Sequence, residues 1–91
     1  MTITDTIHNR LNAALSPVHL EVIDESHLHA GHAGAKPEGE THFRVIAISR
    51  SFQDQTRVTR QRLVYELLTD LLEGPVHALS LTLSSPSENK D

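Results

Sequence analysis

The strongest constraint on the fold lies near the C-terminal end, where Leu63, Val64, Leu67, Leu68, Leu71 and Leu72 recur at steps of three and four residues. That period predicts an α-helix with an apolar stripe along one side, and such a stripe must be laid against another layer of structure. Gly74 supplies the C′ residue and Pro75 forbids continuation. Just upstream, residues 50–58 (RSFQDQTRV) read as a polar connection with Phe52 as its buried anchor.

The rest of the chain supplies what the stripe packs on. Ile3, Ile7, Leu11, Ala14 and Leu15 predict a first amphipathic helix over 3–15, capped by Thr2 or Thr4 and closed by Pro17. From Val18 the period falls to two, with Val18, Leu20 and Val22 alternating with His19, Glu21 and Ile23, the pattern of a half-buried strand. A second strand over 42–49 is apolar on both parities from Val45 onward and is therefore the more buried one. In a third strand, 76–83, His77 shares the parity of Leu79, Leu81 and Leu83 but stands beside the Gly-Pro turn, where its base can pack and its tip stay open. The order helix-strand-strand-helix-strand implies an α+β domain over residues 1–83, with two helices covering one face of a three-stranded mixed sheet. Residues 84–91 (SSPSENKD) read as a flexible polar tail.

Between the first two strands lies HLHAGHAGAKPEGETH, residues 27–42, which holds four of the seven histidines (His27, His29, His32 and His42) among Ala, Gly and Pro. Imidazole is both a proton switch near neutral pH and a common metal ligand. The spacing of His27, His29 and His32 matches no closed structural zinc pattern, so a solvated loop and a ligand-bearing loop both remain open. The chain has no cysteine, so any metal it binds alone has only N and O ligands, and a sulfur-liganded metal needs a partner. No apolar run reaches membrane-span length and no signal sequence is evident, so a cytoplasmic protein without membrane contact is expected.

Four segments then carry a family resemblance: LEVIDES (20–26), GETHFRV (39–45), the stretch from Phe52 to Val64 with its R-x-R-x-V, and PVHALSL (75–81). Together, in one collinear order over about residues 7–83, they resemble the BolA family, and HAGHAGA (29–35) is similar to the form with a long histidine-bearing loop. The resemblance implies an αββαβ fold similar to a class II KH domain. It also implies a heterodimer with a monothiol glutaredoxin, the two sharing a glutathione-dependent [2Fe-2S] cluster. There the glutaredoxin cysteine and glutathione supply thiolates, while this chain, expected to be a monomer alone, supplies His77 and either His29 or His32. A Cys-free chain can provide only part of such a site. The role would be iron-sulfur cluster trafficking or iron and redox regulation.

Two positions depart from the family's signature. Asp54 stands where Gly is expected, and Gln61 where His is expected, so turn geometry at the first is in question and no ligand role transfers to the second. His42 reads as structural and His27 as a solvated neighbour. A second class of function comes from Arg57, Arg60 and Arg62 at the expected N-terminal end of the second helix, where the helix dipole disfavours cations and welcomes anions. That cluster suggests DNA or another anionic partner, against which stand the net charge of −4 and the three aromatics in all. No nucleophile, base and orienting group fall at workable spacing, so no enzyme is expected.

Overall fold

A computed structural model describes residues 2–26 and 40–88. Its elements are α1 (Ile3–Leu15), β1 (His19–Asp24), β2 (His42–Ile48), a 3-10 turn at Arg50–Phe52, α2 (Arg57–Leu67), α3 (Thr69–Glu73) and β3 (Ala78–Ser84). The expected segment order holds, with the second helix divided in two.

α1 begins at a capping box. The Thr2 hydroxyl accepts from Asp5 N at 3.0 Å and the Asp5 carboxylate accepts from Thr2 N at 3.3 Å, so two otherwise orphaned N–H groups are satisfied reciprocally. Ser16 ends the helix in the left-handed region (φ 43°), and the buried Ser49 hydroxyl donates to Leu15 O at 2.6 Å. Ile7, Leu11 and Leu15 are buried, whereas Ala14, on the same predicted stripe, is exposed.

β2 is the central strand. It runs antiparallel to β1 (Val22 opposite Val45) and parallel to β3 (Val45 opposite Leu81). Phe43, Val45 and Ala47 join the α1 residues, Phe52, Val64, Leu68 and Val76 in one core, with Leu79, Leu81 and Leu83 packed against it. Ile46 and Ile48 point to the other sheet face and are only half-buried.

The leucine-rich helix breaks at Leu68 (φ −117°, ψ 16°). Two side chains take carbonyls from the ladder there. The Thr69 hydroxyl donates to Tyr65 O (3.0 Å) and Glu66 O (3.1 Å), and Arg10 Nη1 donates to Leu67 O at 3.2 Å while the guanidinium grips the Asp70 carboxylate. A Thr that bonds back to the preceding turn bends helices. Gly74 closes α3 at φ −115°, so the left-handed C′ conformation expected of it is not used. The expected tail also starts later than Ser84, which belongs to β3, while Ser85 is buried and Glu88 folds back in a turn onto Ser85. Residues 89–91 lie outside the described residues.

Candidate metal centre and basic cleft

The site is built where β1 ends and β2 begins. Asp24 Oδ1 accepts from Ser26 N (2.9 Å) and Ser26 Oγ (2.6 Å), and its Oδ2 accepts from Glu40 N (2.9 Å). The Ser26 oxygen in turn accepts from Thr41 N at 2.9 Å and His42 N at 3.2 Å. Ser26 and Thr41 are buried, so these bonds form away from competing water and tie together positions fifteen and sixteen residues apart. Glu40, in the left-handed region at φ 61°, also accepts from Ile3 N at 2.8 Å and so joins this knot to the start of α1.

His77 sits beside the knot. Its N–H donates to Thr41 O at 2.7 Å, and Ala78 N donates to the same carbonyl at 3.1 Å. Val76, one residue earlier, is buried, whereas the His77 side chain is exposed. This is the base-packed, tip-open arrangement that the Gly-Pro turn suggested. No hydrogen-bond partner meets the His77 ring nitrogens among the described residues. The His42 ring lies 5.4 Å from it, centroid to centroid, tilted by 50°. His42 is buried, with Nδ1 2.8 Å from Thr41 Oγ1. His42 therefore packs as expected of a structural residue, yet against the candidate ligand.

His27, His29 and His32 lie outside the described residues. What is described is the two ends of their segment: Ser26 and Glu40 are both held in the knot that carries Thr41, and Thr41 holds His77. Among the described residues no three metal-ligating side chains come together. Asp24, Ser26 and Thr41 were not singled out from sequence. The D-x-S spacing of an Asx turn was the available signal.

The arginine cluster separates. Arg57 and Arg62 are exposed, but the Arg60 side chain is only 11% exposed and pairs with Glu88 at 2.7 Å. The Thr56 hydroxyl caps α2 by accepting from Thr59 N at 3.1 Å. The N-terminal end of α2 is thus served by its own side chain. A cleft of about 360 Å³ beside it is lined by Gln55, Arg57, Arg60, Gln61, the end of β3 and Glu88.

This geometry defines a small α+β domain whose exposed histidine, on a buried framework, borders the ends of a histidine-rich segment. Residues 11–88 match the family profile described as BolA-like protein, and the chain belongs to that family. It is 44% identical over 85 residues to "Protein BOLA1, chloroplastic" of Arabidopsis thaliana, covering 91% of this chain and 53% of that protein. It is 41% identical over 81 residues to "DNA-binding transcriptional regulator BolA" of Escherichia coli, covering 89% of this chain and 73% of the relative. The solved structure of BolA1 from Arabidopsis thaliana superposes with a TM-score of 0.88 at 40% identity, over 99% of this chain and 98% of that one. The chain spans about half the length of the plant BOLA1 protein, and 23% of the Arabidopsis "SufE-like protein 1, chloroplastic/mitochondrial", to which it is 44% identical over 86 residues, or 90% of this chain.

Proposed function

We propose that this protein is an adaptor that binds a monothiol glutaredoxin and supplies His77, with His29 or His32, to a [2Fe-2S] cluster whose remaining ligands are the glutaredoxin cysteine and glutathione. The observation that carries the reading is His77 itself: an exposed imidazole on a backbone pinned to Thr41, beside the anchored ends of the segment that holds the other histidines. The donor set fits half of such a centre, because imidazole replaces thiolate on one iron in known mixed-ligand clusters and this Cys-free chain can offer nothing softer. When bound, the cluster would supply electron storage or a transferable iron-sulfur unit. This chain's part is to present the His77 imidazole from a fixed backbone and a second imidazole from His29 or His32. Glutaredoxin partnership and the adaptor role are inferences from family membership and from this geometry. Relatives named for the chloroplast and mitochondrion stand beside a bacterial regulator, so the compartment is not fixed by family.

Native mass spectrometry of this chain mixed with a glutathione-loaded cluster-bearing glutaredoxin tests the reading. A one-to-one complex retaining two irons, two sulfides and glutathione is expected, and its absence with both proteins folded would refute it.

A second reading, DNA-binding regulation, is favoured by the name of the Escherichia coli relative, a DNA-binding transcriptional regulator, and by the exposure of Arg57 and Arg62. It rests on residues other than His77 and does not compete with the first.

A further inference from the structure

The turn after β3 puts a carboxylate into a cradle of donors. Glu88 Oε1 receives Ser85 N and Ser85 Oγ, each at 2.9 Å, and Arg60 at 2.7 Å. The cradle is built into the fold. Ser85 is 1% exposed, and Arg60 is fixed by further bonds from Nε to Gln55 O (3.0 Å) and from Nη1 to Leu83 O (3.3 Å). Its occupant is not. Glu88 is half-exposed, and its turn is tied by few bonds: its own N–H donates to Ser85 O at 3.1 Å, the Ser87 and Ser85 hydroxyls meet at 3.1 Å, and the Ser87 hydroxyl donates to Gln53 Oε1 at 3.1 Å.

Charge is unbalanced in the cleft. Arg57 also lines it and makes no hydrogen bond or ion pair among the described residues, so two guanidinium groups face one carboxylate. A phosphate group, with more oxygens and up to two charges, satisfies such a set better than a carboxylate does.

We propose that the turn at residues 86–88 is a latch, in which the Glu88 carboxylate occupies a phosphate-accepting cradle formed by Arg60 and Ser85, with Arg57 at its mouth. A phosphate group enters when the turn swings away. Single turns of this kind open at small free-energy cost, while a tethered carboxylate competes at an effective concentration on the order of millimolar. External phosphate is therefore bound with an affinity reduced by the closed fraction, roughly tenfold for a latch closed nine times in ten. The latch is independent of cluster sharing. It deepens the second reading, since that reading is what would make nucleic acid the source of the phosphate.

The test is an NMR titration of the full chain, as wild type, Glu88→Gln and Glu88→Ala, with inorganic phosphate and separately with a single-stranded oligonucleotide. The Arg60 Nε–H and the Ser85 and Arg57 amides are followed, and the β3 amides report an intact fold. Both variants are expected to bind inorganic phosphate about tenfold more tightly than wild type, with shifts centred on Arg60 and Ser85. Adding Arg57→Gln should remove most of the gain. Tighter binding of inorganic phosphate with no binding of the oligonucleotide supports the latch and refutes the nucleic-acid reading. Oligonucleotide binding that is equal in all forms and leaves Arg60 and Ser85 unmoved supports that reading and overturns the latch, as does any failure of the variants to gain affinity for phosphate.

Discussion

Replacing Ser26 by Ala removes one oxygen on which the whole loop base depends. In the native protein that oxygen accepts from the amides of Thr41 and His42 and donates to Asp24. Asp24 keeps the Ser26 and Glu40 amides, so the loss falls on two N–H groups at buried residues. A buried donor left without a partner costs about 1–3 kcal/mol. With partial relaxation the pair should cost about 3 kcal/mol, which for a domain of this size lowers Tm by roughly 12–24 °C. Urea denaturation of wild type and Ser26→Ala measures the difference. Ser87→Ala, which removes an exposed bond to Gln53 and a half-buried one to Ser85 at an exposed residue, serves as the surface control and should change stability by less than about 0.5 kcal/mol. Hydrogen exchange adds a local readout, because the Thr41 and His42 amides should lose protection and the His77 amide, bonded to Thr41 O, should shift. A loss below about 1 kcal/mol with both amides still protected would refute the shared-acceptor reasoning.

Further outcomes follow from other elements. Phe52→Ala empties a fully buried site in the core and should cost about 3–5 kcal/mol, read as a collapse of the urea midpoint. Asp54→Gly relieves a left-handed residue (φ 60°). The relief outweighs the glycine entropy cost only slightly, so a gain of about 0.5 kcal/mol is expected, and a loss would mean that the Asp54 side chain holds something. Hydrogen bonds from Arg10 hold the Asp70 carboxyl at about 2, and the Ser85 amide, Arg60 and the Ser85 hydroxyl hold Glu88 at about 2. Both are depressed from ordinary values of 3.8 and 4.5, so their contribution is fully present above those values and is lost as pH falls toward 2. Urea midpoints measured from pH 6 to pH 2 should show that loss, and Glu88→Gln should make the decline between 4.5 and 2 shallower.

Periodicity carried most of the fold. The stripes of α1 and β1 and the two-sided apolar character of β2 are local properties, and each became the expected element. The break at Leu68 escaped because leucine spacing continues through it. Only Thr69, with a hydroxyl able to reach back two ways, and Asp70, a partner for a distant arginine, marked it. Asp54 is the reverse case. A Gly expected by resemblance pointed at a position whose φ is positive, and Asp occupies it because its short polar side chain tolerates that region better than most.

The site was legible in part. The open tip of His77 could be read from the Gly-Pro turn before it, a local signal, although the residue precedes β3 where its parity had put it inside the strand. Of the knot of Asp24, Ser26 and Thr41 only the Asp24–Ser26 turn left a local signal, because the bonds to Glu40, Thr41 and His42 join residues brought together only when β1 pairs with β2. For the same reason Arg57, Arg60 and Arg62 looked like one basic cluster. Arg60 is drawn inward by Leu83 and Glu88, residues more than twenty positions away, and two exposed arginines remain.

Cluster sharing is tested most directly by visible absorption and circular dichroism as this chain is titrated into a glutathione-loaded, cluster-bearing glutaredoxin homodimer. Wild type, His77→Ala, His29→Ala and His32→Ala are compared in the same titration. The expected result is a spectral change that saturates at one chain per glutaredoxin, is lost in His77→Ala and is lost in one of the other two variants. An unchanged spectrum with wild-type protein, or a full change with His77→Ala, would contradict it.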